Sequence, residues 1–432
     1  MTFLAPLATP GRAWPSADHA RPDFRALRAA QSELAPWPYR DLDIAKLSAT
    51  GWRPTPFHDL VLKVHQRCNL ACSYCYVYTH ADQSWRDRPA QMSEEIWRAT
   101  AENLGRHVRA HDVGEVRVVL HGGEPLLFGA DRLVEVAQYI RSCLPAGCAS
   151  EIGLQTNGVL LTNSVLATLH RQDIKVGVSI DGPPAVHDRN RVRPNGSGSF
   201  TAVRAGLELL RSPEHRALYA GLLCTISLDV DPIECFDQLG EFEPPMIDFL
   251  LPHANWQQPP VRPEQTQAAY GTWLVAAFDR WYDGSHDIRV RLFEDIIRLL
   301  LGGWSRSEQV GLSPNAVLVV ETDGSIEQVD ALKSAYAGAC GLGLNVRHDE
   351  LDAALADPGI IARQIGREAM SDQCGACPVM RVCGGGHYAH RYGRQTGFLN
   401  RSVYCADMRH LIEHVNGRIL VDVGRMTGMG AS

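Results

Sequence analysis

The sequence has no stretch approaching the roughly eighteen consecutive apolar residues that a membrane-spanning helix needs, although 45% of its 432 residues are apolar. It also has no dense Lys/Arg tract. The formal net charge is −7, and Arg191, Arg193 and their neighbours are scattered, which argues against a nucleic-acid partner gripped by its phosphates. The opening run MTFLAPLATPGRAWPSADHARPDF lacks the basic start and continuous apolar stretch of a secretion signal. The chain therefore reads as cytoplasmic, without a membrane partner, where thiols stay reduced. Twelve cysteines are too few for a disulfide framework of this size and too clustered to be random. Two tight cysteine clusters in a reducing compartment read as metal sites.

What is present has a regular rhythm. Residues 1–55 form an arm rich in Pro, Ala and Arg, with one short helix expected near DFRALRAAQSELA. From Phe57, β-rich runs (60–64, 116–120, 151–156, 175–180, 221–226 and 247–251) alternate with amphipathic segments. Ser93 is placed to cap the first of these segments. Such alternation implies parallel strands with right-handed crossovers. Six units give an α/β fold, a partial (β/α)6 TIM-type barrel open on one side and spanning 56–261. In that architecture chemistry sits at the C-terminal strand ends. A helical bridge is expected over 262–312, a hairpin turning at Asp323-Gly324 within 313–424, and a tail over 425–432.

The most informative stretch is KVHQRCNLACSYCYVYTH, residues 63–80, in which Cys68, Cys72 and Cys75 stand at C-x3-C-x2-C spacing. A structural zinc site wants four ligands, and only His65 and His80 are near enough in sequence to complete one. The alternative is a [4Fe–4S] cluster held by thiolates. Three thiolates would leave one iron open, which makes sense only if an outside ligand uses it.

C-x3-C-x2-C with an aromatic, Tyr74, before the third cysteine resembles the radical S-adenosylmethionine (SAM) enzymes. The resemblance implies that the open iron chelates SAM and that the cluster cleaves it to a 5′-deoxyadenosyl radical. Gly122, Gly123, Glu124 and Pro125 look like that family's GGEP stretch, which binds the methionine amine. Ser179 and Asp181 resemble positions near the ribose, Asn157 matches a similar strand end, and Arg191 resembles the partner of the SAM carboxylate. Cys374, Cys377, Cys383 and Cys405 resemble the ligands of the second auxiliary cluster in SPASM extensions, implying a second [4Fe–4S] cluster, although four thiols also suit zinc. Two cysteines of the SPASM pattern are replaced here, by Val329 and His387, and Cys340 alone cannot hold another cluster. Cys143, Cys148, Cys224, Cys235 and Cys340 read as core or semi-buried thiols. The hairpin resembles that of the sulfatase maturases, which implies Asp330 as the general base, with turn or helix capping as the alternative.

Longer stretches, LLCTISLDVDPIECF, IDFLLPHANW and CGACPVMRVCGGGHYAHRY among them, are similar to FxsB-type radical SAM/SPASM maturases from about Pro54 to near Val421. This implies a short ribosomal precursor peptide as substrate and a cyclophane crosslink, from an aromatic ring carbon to a β-carbon, as product. It also implies an external electron donor such as flavodoxin or ferredoxin. His253, Asn255 and Trp256, just past the sixth strand, are the expected peptide contacts. A formylglycine-type or thioether-forming maturase is the enzymatic alternative, and an iron–sulfur electron carrier the non-enzymatic one.

Overall fold

The computed structural model describes residues 23–264, 266–284 and 287–427. The first 22 residues of the expected arm, and residues 428–432 of the expected tail, lie outside them. Ten strands form one sheet: β1 (Asp59–His65), β2 (Glu115–Gly122), β3 (Ala149–Thr156), β4 (Lys175–Ser179), β5 (Tyr219–Thr225), β6 (Met246–Leu250), β7 (Arg289–Val290), β8 (Val317–Val320), β9 (Ser325–Glu327) and β10 (Gly341–Asn345). Their order is β10-β9-β8-β1-β2-β3-β4-β5-β6-β7. The six strands read from sequence are β1 to β6, each within two residues at its ends. Neighbours from β1 to β7 are parallel.

Nine helices have eight or more residues among the described residues: α1 (Phe24–Leu34), α2 (Glu94–His111), α3 (Ala130–Cys143), α4 (Asn163–His170), α5 (Phe200–Arg211), α6 (Pro232–Gly240), α7 (Ala269–Tyr282), α8 (Arg291–Leu300) and α9 (Cys405–Thr427). The Ser93 hydroxyl accepts from the Ile96 N–H and starts α2, with Glu94 and Glu95 in the first turn, where the helix dipole favours them. Along β2, Val116, Val118 and Leu120 are buried while Arg117, Val119 and His121 take the other face, the period-two pattern of a strand. Leu60, Leu62, Val64, Ile152, Leu154, Val176 and Val178 extend that layer into one core with α2 and α3.

The hairpin at Asp323-Gly324 forms as expected from β8 and β9, with Gly324 at φ 85°. Its attachment has no signature in the sequence. β8 lies parallel beside β1, Leu60 opposite Leu318, so the sheet runs on past the barrel into the C-terminal region.

The N-terminal segment also joins that region. Ala35, Trp37 and Leu47 share a second core with Leu332, Tyr336, Ile361, Tyr388, Tyr392 and Phe398. Arg28 pairs with Asp357, and the Gln31 amide donates to the Gly341 carbonyl at 2.9 Å.

Candidate active site

The cysteine run follows β1, at the C-terminal edge of the parallel strands, and two neighbouring segments fix its path. Gly123 N–H donates to the His65 carbonyl (2.8 Å) and Glu124 N–H to the Arg67 carbonyl (3.0 Å). The approach is close enough to demand glycine: a Cβ on Gly122 would stand 2.1 Å from the His65 oxygen, and one on Gly123 would stand 1.9 Å from the Tyr78 hydroxyl. On the other side, Ala71 N–H donates to the Val192 carbonyl (2.7 Å) and Ser73 N–H to the Asn190 carbonyl (3.0 Å). The three cysteines are thereby held between the GGEP segment and the segment carrying Arg191.

Most of the residues expected to bind a cofactor converge here. The Tyr74 hydroxyl donates to Asp181 and receives the Arg191 Nη1 hydrogen bond at 3.0 Å. Arg191 is buried, and its Nε has no hydrogen-bond partner among the described residues. Burial opposes its charge, but Tyr74, Asp181 and Cys72 together hold it protonated. The Asn157 amide donates to Asn69 at 2.7 Å and faces the Cys68 sulphur at 3.6 Å. Glu124 plays an internal part. Its buried carboxylate accepts from Leu126 N–H (3.0 Å), the Thr156 hydroxyl (2.7 Å) and Asn157 N–H (2.8 Å), which ties the ends of β2 and β3 together. Pro125 opens the short turn that follows, and Ser179 accepts from Gln155 at 2.9 Å.

Burial raises the Cys68 thiol to about 12 and the Cys72 thiol to about 11, the latter against the pull of Arg191. Such thiols ionise only against a strong cation, so metal binding here releases protons. Cys374, Cys377, Cys383 and Cys405 form the second set. Burial lifts Cys383 to about 12, with Cys405 and Cys374 adding to it. Burial also raises Cys405, with Cys374 and Cys377 adding. Cys405 opens α9, and Cys383 precedes three glycines; Arg391 donates to the carbonyls of Gly385 (3.2 Å) and Gly386 (2.9 Å).

Thiolates bound to one tetrahedral zinc at 2.3 Å lie about 3.8 Å apart. Among the described residues no three cysteine sulphurs come within 4.8 Å of one another. Neither set is therefore drawn up around a single tetrahedral ion.

Asp330 is differently placed from a free base. Its carboxylate is buried, hydrogen-bonded to Lys63, and 3.3 Å from Lys333. Lys333 also pairs with Glu321, while Arg88 bridges Glu321 (2.6 Å) and Glu327. Although burial opposes it, Lys63 and Lys333 hold the Asp330 carboxyl well below the usual range. Sequence reasoning missed this network: Lys63 sits in β1 within an apolar run, and its partners lie more than 250 residues away.

The three expected peptide contacts separate. Asn255 is buried, its amide on the Ser334 carbonyl (2.9 Å) and its oxygen on the Gln257 (2.8 Å) and Gln258 (3.0 Å) N–H groups. Trp256 is 43% exposed and lines an open groove of about 430 Å³ with Arg401, Arg262 and Cys405. His253 packs edge-on against Tyr76 at 4.8 Å between ring centres.

Residues 62–212 match the model described as the Radical SAM superfamily. The chain is 23% identical over 378 residues to a cysteine-type anaerobic sulfatase-maturating enzyme of Clostridium perfringens, covering 84% of this chain and 98% of that one. It is 26% identical over 313 residues to a serine-type enzyme of Bacteroides thetaiotaomicron, covering 66% and 72%. The solved structure of native anSMEcpe with bound AdoMet aligns with TM-score 0.72 and 22% identity, over 85% of this chain and 99% of that one. Streptococcus suis SuiB bound to precursor peptide SuiA aligns with TM-score 0.53 and 15% identity, over 84% and 78%. At these identities the structural matches establish the fold, the open α/β barrel with its C-terminal extension. The superfamily match, which begins within β1, takes in the three-cysteine loop, the GGEP segment and Arg191, so this region of the chain is similar to the radical SAM enzymes.

Proposed function

We propose that the protein is a peptide maturase that forms a carbon–carbon crosslink, a cyclophane, between an aromatic ring carbon and the β-carbon of a nearby residue in a short ribosomal peptide. The observation that carries this reading is the pairing of two cysteine sets of different valence: three thiols beside Arg191 and four beside α9. With iron–sulfur clusters and SAM bound, the first set supplies a hydrogen-abstracting radical and the second one-electron transfer.

Crosslinking removes two hydrogens from the peptide, one as an atom and the other as a proton and an electron. This chain's residues supply the setting. Arg191, anchored by Tyr74, offers its unpartnered Nε to the SAM carboxylate as a charge-assisted donor. The backbone of Gly122 and Gly123 lies against the cysteine loop, so this segment would place the methionine amine beside the three thiols. Glu124 fixes the GGEP turn against β3.

Similarity to sulfatase-maturating enzymes over most of the chain favours a second reading, oxidation of a Cys or Ser side chain to formylglycine. One experiment separates the two. Reduced, cluster-reconstituted protein is incubated anaerobically with SAM and a small peptide encoded beside it. A loss of two hydrogens with backbone fragmentation blocked between an aromatic and a nearby residue supports the crosslink. A product that fragments normally and reacts with a hydrazide probe is the aldehyde and overturns it.

A further inference from the structure

The groove beside Cys405 holds an aromatic ring and a cation that the chemistry at the cysteine sets leaves unused. Trp256 is 43% exposed, yet it is not free to turn. Its N–H donates to the Tyr392 carbonyl at 3.0 Å and its indole Nε1–H to the Arg401 carbonyl at 2.8 Å. A large aromatic fixed in water is the form an interface anchor takes, because little side-chain freedom remains to be lost on binding. Arg401 is exposed and lies 5.7 Å from the centre of that ring. Arg262, the other cation of the groove, is engaged by Asp407 at 2.9 and 2.6 Å and by the Val403 carbonyl at 3.0 Å. Arg401 has no carboxylate partner among the described residues.

Charge, size and position say what fits. From residue 373 to residue 406 the chain carries Arg381, Arg391, Arg394 and Arg401 and no Asp or Glu, although its net charge is −7. Arg391 turns inward onto the carbonyls of Gly385 and Gly386, which leaves Arg401 as the groove's available cation. A volume of about 430 Å³ lies in the range of about 300–1,000 Å³ that encloses a small-molecule-sized ligand, here about three residues of extended chain. A folded partner needs a face of about 800 Å². The groove also lies near the first cysteine set. His253 touches Tyr76, the residue after Cys75, with ring centres 4.8 Å apart, and Trp256 stands three positions further along the same loop. Three residues reach at most about 11 Å, so a few residues of extended peptide bridge the groove and the cysteine loop.

We propose that this groove docks an extended acidic segment of the substrate peptide, outside the residues that are modified. A peptide carboxylate pairs with the Arg401 guanidinium, and a neighbouring apolar side chain lies on the Trp256 indole. A planar guanidinium stacked on an aromatic ring still presents its N–H edge to a carboxylate. The docked segment runs past Cys405, which lines the same groove. This inference rests on the reading of the protein as a peptide maturase, and it holds whether the product is a crosslink or a formylglycine.

The test measures fluorescence anisotropy of the labelled peptide encoded beside the enzyme, mixed with the reconstituted holoenzyme and SAM but no reductant, and counts iron in each variant. Trp256→Ala and Arg401→Gln probe the groove. Both side chains reach the surface, and Arg401→Gln retains the backbone carbonyl that holds the indole. Arg394→Gln, at an exposed arginine of the same stretch outside the groove, is the control. Expected is a dissociation constant raised about tenfold or more in both groove variants, and likewise for a peptide whose Asp and Glu are replaced by Asn and Gln. Arg394→Gln should bind as the wild type does, and iron should be unchanged throughout. Wild-type protein that does not bind the peptide, unchanged affinity in Arg401→Gln or for the amidated peptide, or an equal loss in Arg394→Gln would each overturn the proposal. So would loss of iron in Arg401→Gln, which would make that arginine a support of the four-cysteine set. The product's mass is read separately: an aldehyde formed with these shifts in affinity changes the reaction and leaves the groove, whereas a crosslink formed without them removes the groove alone.

Discussion

At the scale of single residues, Asp330 is caught between two lysine ammonium groups in a site from which water is excluded. Replacing it by Asn leaves Lys63 and Lys333 short of a counter-charge, and breaking a buried pair in this way costs about 3–5 kcal/mol. Asp330→Asn should therefore lower the urea midpoint before any question of catalysis arises; a variant of unchanged stability that makes no product would instead identify Asp330 as a base. Buried histidines, His121 and His187 among them, shape the response to acid. Burial, aided by Lys63, holds His121 down to about 4, and burial, aided by Arg191, holds His187 down to about 3. Both lie below the unfolded value of about 6.5, so the unfolded chain binds protons that the folded one does not. Their contribution to stability is complete above about pH 6.5 and falls as pH drops toward 4, by about 1.4 kcal/mol per pH unit for each. Urea midpoints measured at pH 7.5, 6.5 and 5.5 should be level between the first two and drop at the third.

At the scale of elements, the GGEP turn and the cysteine loop are positioned by each other. A Cβ on Gly123 would meet the Arg67 carbonyl at 2.5 Å as well as the Tyr78 hydroxyl, so Gly123→Ala must push the loop away from β2. The expected outcome is a protein with normal secondary structure, iron retained at the four-cysteine set alone, and no SAM cleavage; iron content and 5′-deoxyadenosine release report it. The start of α2 tests a purely structural device. Ser93→Ala removes the side-chain acceptor for Ile96 N–H and should cost about 1 kcal/mol without changing iron content, as a urea melt and an iron assay would show. The strand positions, the Ser93 cap and the Asp323-Gly324 turn were all legible in the sequence, because each depends on residues within a few positions of one another. The reach of the hairpin, with β8 against β1, was not legible, because strand pairing at a separation of more than 250 residues leaves no local pattern.

At the scale of the whole molecule, the N-terminal segment is part of the C-terminal region's core. Trp37 lies in the same cluster as Tyr388, Tyr392 and Phe398, and its carbonyl accepts from Phe398 N–H at 3.2 Å. Tyr388 and Tyr392 lie between Cys383 and Cys405 in sequence, so the core formed with residues 23–52 supports the four-cysteine set. Deleting residues 1–53 should lower the iron content by the share of that set and expose apolar surface, while SAM binding at the barrel persists. Iron per chain, dye binding and SAM affinity would decide it, and retention of full iron would remove the coupling.

What the sequence alone determined is local chemistry in a fixed order: the βα rhythm, the C-x3-C-x2-C loop at the end of β1, the GGEP turn and the C-x2-C-x5-C set. These follow from side-chain periodicity and spacing, which act over one element. The tertiary structure decided which distant residues share a dry space. It put Lys63 and Lys333 around Asp330 and buried Asn255 while exposing Trp256. A residue's charge state and availability depend on who is buried with it, and burial is a property of the folded chain rather than of any stretch within it.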